Sequence, residues 1–280
     1  MRIRSVSLDA KETTEGLGPV TMRRLGQIVL LVGPNGGGKS RLLRLVKAQA
    51  DHPAVSSDRF RLEGDRSKSP DVCVFFGPKG FVLTDPDTLA PQQADSHAEH
   101  AAFLTLHENL HVSAPAYARL LLMRHLASKD EPAPEFERLS GLVHDVLGTH
   151  LRWDADAHLT LFDRRVGASL SEGQAALFQL AVALHLAGAS RLNGCVLLWD
   201  EPELHLHPDA LLKVFEGLRS RNADGQIWLA SHSAALAAAV GRDALWYVDD
   251  GTVRWVMDDN YFCRGDDNYF CRLGRRTDGS

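Results

Sequence analysis

The 280-residue sequence is poor in cysteine, in long apolar runs and in excess positive charge. Its four cysteines, Cys73, Cys195, Cys263 and Cys271, lie far apart with no CxxC pair, so neither a disulfide framework nor a zinc knuckle is indicated. No stretch reaches the roughly 18 apolar residues of a membrane-spanning helix. The longest candidate, ALFQLAVALHLAGA, contains Gln179 and His185. The opening segment MRIRSVSLDAKETTEG has no apolar core of the kind a secretory leader carries. A formal net charge of −5 argues against a uniformly basic surface and leaves room only for local patches such as Arg23-Arg24 or Arg41 and Arg44. The expectation is a soluble protein of a reducing, cytoplasmic compartment, without direct membrane insertion.

What is present is an alternation of short apolar runs with helical periodicity. RIRSVSLDA alternates like a half-buried strand, and QIVLLV (27–32) reads as a buried central strand ending at Gly33. SRLLRLVKAQA (40–50) has helical spacing; DVCVFF and GFVLT (80–84) read as strands separated by turn residues. From about 95 to 150 the pattern is helical, with HAEHAAFLTLHENL, APAYARLLLMRHLA and PEFERLSGLVHDVLG punctuated by Pro115, Pro132 and Pro134. After Ser169, helices and strands alternate again to ALWYVDD. This predicts an α/β fold with a mostly parallel sheet flanked by helices: a core of 1–84 and 166–257, a helical insertion at 85–165, and a tail at 258–280. The tail repeats DDNYFCR in tandem, read chiefly as a duplicated segment and secondarily as a paired binding element.

GPNGGGKS (33–40) fits G-x-x-x-x-G-K-[ST] after a strand and before a helix, the context of a phosphate loop. Gly33, Asn35, Gly36, Gly37 and Gly38 form a turn whose backbone N–H groups can face phosphates, and the following helix presents its positive end. Lys39 is placed to reach the β/γ-phosphates of ATP and Ser40 to ligate Mg²⁺. VLLWDE supplies the other half: Asp200 at a strand end for the metal, and Glu201 to orient or deprotonate the attacking water. SLSEGQ (169–174) alone reads as a capping box, Ser171 with Gln174.

The order phosphate loop, LSEGQ, apolar-strand-DE, then IWLASHS resembles ATPases of the ABC superfamily, within the P-loop NTPases. That resemblance implies that Ser171 and Gly173 close over the γ-phosphate bound by the opposite subunit of an ATP-bound homodimer. It also implies that His232 contacts the γ-phosphate and that a magnesium-sensing glutamine, Gln92 or Gln93, lies between phosphate loop and signature. Glu172 departs from the transporter pattern, which has glycine there, and is expected to face away from ATP or pair with a cation.

Transporters follow Asp-Glu-Pro with a small-residue turn. Here 203-ELHLHP-208 stands instead, which resembles the non-transport branch of overcoming-lysogenization-defect nucleases, RecF-like repair proteins and AAA-type defence ATPases. The resemblance covers roughly 1–50 and 165–250. It implies an ATPase that gates a separate effector, a nuclease or toxin, in DNA repair or antiphage defence. The alternatives are an ABC-transporter energiser and a stand-alone DNA-stimulated ATPase, whose DNA contact would use the arginines named above. Two metal readings rank lower: His205 with His207, expected to pack at the dimer interface or position Glu201, and HExxH at His107–His111, where polar Asn109, nearby Pro115 and the missing third ligand argue against zinc.

Overall fold

The computed structural model describes residues 2–8, 17–51, 73–76, 110–128, 134–166, 170–204 and 206–256. A six-stranded sheet organises them, in spatial order β11-β10-β3-β9-β8-β4. Its strands are β3 (Ile28–Val32), β4 (Cys73–Phe76), β8 (Val196–Asp200), β9 (Gln226–Ala230), β10 (Leu245–Asp249) and β11 (Thr252–Trp255). Every pairing is parallel except β10 with β11, which closes one edge as an antiparallel hairpin. A separate ribbon pairs β1 (Ser5–Leu8) with β2 (Val20–Arg23).

The unbroken apolar runs are explained by burial on both faces. Along β3, Ile28, Leu30 and Val32 enter one core, while Val29 and Leu31 enter the other. Strand β9 divides likewise, with Ile227 and Leu229 on one side and Trp228 and Ala230 on the other. The second core is roofed by α1 (Lys39–Asp51) and the β1-β2 ribbon. The first receives α2 (Leu110–Ala127), α3 (Pro134–Leu147), α4 (Glu172–Leu186), α5 (Pro208–Arg221) and α6 (Ala234–Val240).

The described helices of the 85–165 segment are built into the first core. Helix α3 buries Phe136, Leu139, Leu142, Val143 and Val146, a stripe at helical spacing. Helix α4 buries residues around most of its circumference, consistent with its place in the middle of a helical layer.

Several expectations change. Pro115 lies inside α2 and is buried, so it does not end the helix. Residues 152–165, expected within a helical insertion, form an antiparallel meander of β5 (Arg152–Trp153), β6 (Leu159–Leu161) and β7 (Arg164–Arg165). Its strands are too short to show a period of two, and its turns rest on positive φ at Ala157 (61°), Phe162 (52°) and Asp163 (58°). Strands β2 and β11 were not expected. The strand at 80–84, the helix over 97–109 and the tandem tail lie outside the described residues.

Candidate nucleotide site

Strand β9 lies between β3 and β8, all parallel, so the carboxyl ends of these three strands share one edge. The phosphate loop follows β3, Asp200 and Glu201 stand at the end of β8, and 231-SHS-233 follows β9. Topology thus gathers residues 33–40, 200–201 and 231–233, the place where ligands bind in open parallel sheets.

The loop is held by the neighbouring β10-β11 hairpin. Gly251 N–H in the β10-β11 turn donates to Gly37 O at 3.2 Å, and Gly18 N–H donates to Gly251 O at 2.8 Å. The approach is close enough to require glycine. A Cβ on Gly33, whose φ is +147°, would stand 2.0 Å from Val248 O, and one on Gly37 would stand 2.7 Å from it.

Lys39 is 5% exposed and folds back over its own loop, donating to Gly33 O at 3.1 Å and Pro34 O at 2.9 Å. Burial lowers its pKa, and the nearby carboxylates of Glu201, Asp200 and Glu203 oppose that shift. The ammonium is thus held at the loop by carbonyls it can exchange for phosphate oxygens.

Asp200 is 1% exposed and accepts a 2.9 Å hydrogen bond from Ser40 Oγ. Burial raises its pKa; the Ser40 hydrogen bond pulls it down, Glu201 pushes it up, and Arg44 and Lys39 lower it. A hydroxyl and a carboxylate meeting at one point form a hard oxygen donor pair, which fits Mg²⁺ and suits no thiophilic metal.

Glu201 is half-buried and sits at φ +51°, an uncommon conformation for a non-glycine residue. Its N–H donates to Ala230 O at 2.8 Å, and the turn closes with Leu204 N–H to Glu201 O at 3.1 Å. His232 projects an exposed side chain, and Ser233 caps α6 by accepting from Leu236 N–H at 3.3 Å.

At the signature, Ser171 Oγ accepts from Gln174 N–H at 3.3 Å, and Gln174 Oε1 accepts from Ser171 N–H at 3.0 Å. The capping box read from the sequence is therefore formed. Glu172 is exposed. A Cβ on Gly173 would make only ordinary contact, 3.6 Å from Leu206 and 3.9 Å from Val214. His207 is exposed beside Asp209, 4.0 Å away. Gln92, Gln93, His107 and His205 lie outside the described residues.

Sequence reasoning overlooked Glu203. Its carboxylate accepts from Ser231 Oγ at 2.8 Å and from His232 N–H at 2.5 Å, joining the loop after β8 to the loop after β9. The only signal was a third acidic residue after Asp200 and Glu201. Asp154, Asp156 and His158 bring three ligand-type atoms together in the meander. Asp154 is committed there to the N–H groups of Asp156 and His158 and to Arg165. These contacts, His158 N–H first, hold its carboxyl down at about 2.

A parallel sheet whose inner strand feeds a glycine-rich loop and helix, beside an acidic strand end, defines a P-loop NTPase core. The family model described as "AAA domain, putative AbiEii toxin, Type IV TA system" matches residues 84–238, more than half of the chain, and the chain belongs to that family. No curated protein matches the chain. Among solved structures, it is similar to cbiO1 of Clostridium perfringens, part of the ABC transporter complex cbiONQ. That match is 14% identical over 90% of this chain and 85% of the other, at a TM-score of 0.49. It is also similar to the ADP conformation of an ATP-binding cassette of an ABC transporter, 17% identical over 85% and 83% of the two chains, at a TM-score of 0.47. Among the described residues no helix is long and apolar enough to cross a membrane.

Proposed function

We propose that this chain is an ATPase subunit that binds ATP with Mg²⁺, closes as a head-to-tail homodimer and gates a separate effector in DNA repair or antiphage defence. The observation that carries the ATPase reading is the meeting of Ser40 with Asp200 at the edge shared by β3, β9 and β8, with Lys39 held over the same loop.

In the mechanism, Lys39 exchanges its carbonyl partners for the β- and γ-phosphate oxygens, and the N–H groups of residues 36–40 enclose them. Ser40 and Asp200 are the residues that would hold Mg²⁺, which would supply positive charge to offset the charge developing on the phosphate. Glu201 orients the attacking water and takes up its proton. Ser171 and Gly173 of a second copy bring the positive end of α4 to the γ-phosphate, so isolated subunits turn over slowly.

Two observations support the non-transport role: 203-ELHLHP-208 in place of the transporter turn, and a family whose description names a toxin–antitoxin system. The test is purification of tagged Glu201→Gln protein from the native host with ATP and Mg²⁺, and identification of its partners. A nuclease or toxin in the eluate supports the gating role. A membrane permease overturns it and assigns the chain to transport. Unaltered hydrolysis by Glu201→Gln refutes the role given to Glu201.

A further inference from the structure

A third carboxylate beside a phosphate site demands a reason, because it repels the anion the site is built to take. Glu203 belongs to the same acidic group as Asp200 and Glu201, all of which act on the Lys39 ammonium. Its two oxygens are each engaged, one by the Ser231 hydroxyl and one by the His232 N–H. Ser231 is fully buried and is itself tied down. Its N–H donates to Leu31 O of β3 at 3.0 Å, and its Oγ accepts from Ser233 N–H at 2.9 Å. On the other side, Glu203 sits in the turn closed from Leu204 to Glu201, whose N–H is bonded to Ala230 O.

The backbone on both sides of the His232 Cα is therefore fixed, while its exposed imidazole makes no hydrogen bond with any described residue. We propose that Glu203 is a positioning residue. By holding the His232 N–H and the Ser231 hydroxyl, it aims the His232 side chain at the γ-phosphate position and links that aim to the turn carrying Glu201. The inference rests on the ATPase reading above and names how the histidine of that site is held. Its two acceptor atoms are used on the loop and not on the nucleotide, so Glu203 contributes orientation and no binding contact. Small errors of orientation at a reacting centre cost rate far more than they cost affinity.

The experiment compares wild type with Glu203→Ala, Glu203→Gln, His232→Ala and the Glu203→Ala/His232→Ala double variant. ATP turnover and the binding of a non-hydrolysable ATP analogue are measured with Mg²⁺ present. Histidine resonances are followed by NMR with and without the analogue, and thermal unfolding shows that each variant is folded. Glu203→Ala is expected to lower kcat by about 10-fold or more with analogue affinity within about threefold of wild type. The double variant is expected to be no slower than His232→Ala alone, because Glu203 acts through His232.

Glu203→Gln keeps an acceptor for the His232 N–H and reverses the Ser231 bond, its amide N–H donating to Oγ where the carboxylate accepts from it, and is expected to recover most of the loss. The analogue should shift the His232 ring resonances in wild type and in Glu203→Gln, and much less in Glu203→Ala. The proposal is overturned if Glu203→Ala leaves kcat and the His232 shifts unchanged, or if its loss multiplies with that of His232→Ala. A folded wild type that binds the analogue without turning over ATP would sink the hydrolysis reading, and the His232 shifts would then still decide the role of Glu203.

Discussion

The Ser40 hydroxyl donates to Asp200 Oδ1 across 2.9 Å, although the two residues stand 160 positions apart in the chain. The contact joins the first turn of α1 to the end of β8 through the interior of the sheet edge. Asparagine at 200 retains the acceptor for Ser40 and removes the charge. Asp200→Asn should therefore fold with wild-type thermal stability or better, since burial disfavours the charge it deletes. Its Mg²⁺-dependent turnover should fall by about 100-fold or more. Paired measurements of melting temperature and ATPase rate against Mg²⁺ concentration check this; a variant that still responds to magnesium as wild type does would remove Asp200 from the metal site.

The phosphate-loop glycines should differ sharply in their tolerance of a methyl group. Gly33→Ala drives Cβ to 2.0 Å from Val248 O, a backbone atom of β10 that cannot rotate away. Gly36 has nothing within 4 Å of its Cβ position and carries only the strain of φ +78°. Expected losses of unfolding free energy are about 1–3 kcal/mol or more for Gly33→Ala and about 1 kcal/mol for Gly36→Ala. Urea unfolding of both variants gives the ranking, and equal losses would show that the hairpin does not brace the loop.

Tyr117 on α2 meets His185 on α4, with Oη 3.1 Å from Nδ1. His185 Nε2 lies 3.1 Å from the Glu135 carbonyl and 3.2 Å from its carboxylate, neither of which can donate, so Nε2 carries a proton, and in the neutral ring Nδ1 accepts from the phenol. Burial first, then the charge of Glu135, pushes the phenol up to about 12. The folded pKa is raised above the ordinary value near 10, so the fold favours the neutral phenol. That contribution is fully present below pH 10 and is lost as pH rises from about 10 to about 12. Tyr117→Phe should lower stability at pH 8 by about 1 kcal/mol and flatten the decline above pH 10. Chemical denaturation between pH 8 and 11 tests the sign, and an unchanged slope in the variant would refute the assignment.

The placement of the candidate site on one sheet edge was legible in the sequence where short motifs follow apolar runs. Gly33 to Ser40, Asp200, Glu201 and His232 fall on the shared edge because each ends a continuous apolar run, and such runs become central parallel strands. Glu203 escaped because its meaning is a hydrogen bond across 28 residues to a second loop, which no local pattern encodes. The meander at 152–165 escaped for a different reason: strands of two and three residues carry no period, and their register rests on turn geometry and the Asp154 contacts. Pro115 misled because proline reads as a helix end, whereas α2 runs from Leu110 through it to Ala127.

Ser171 has one duty in the structure and a second in the proposed dimer. Within one chain it caps α4, its Oγ accepting from Gln174 N–H while Gln174 returns a bond to its backbone. In the proposed dimer it faces the partner's γ-phosphate. Alanine removes both duties, so Ser171→Ala should lose about 1 kcal/mol of stability as well as ATP-driven association. Aspartate caps a helix as well as serine does but places a negative charge at the same point. Ser171→Asp should therefore melt close to wild type and still bind ATP within a subunit, yet fail to associate. Gly173→Ala offers a second probe, because its Cβ meets Leu206 only at 3.6 Å and fits within the monomer. Sedimentation in the Glu201→Gln background with ATP and Mg²⁺ reads the outcome. Dimers formed by Ser171→Asp at wild-type affinity would confine Ser171 to its cap and remove α4 from the opposing site.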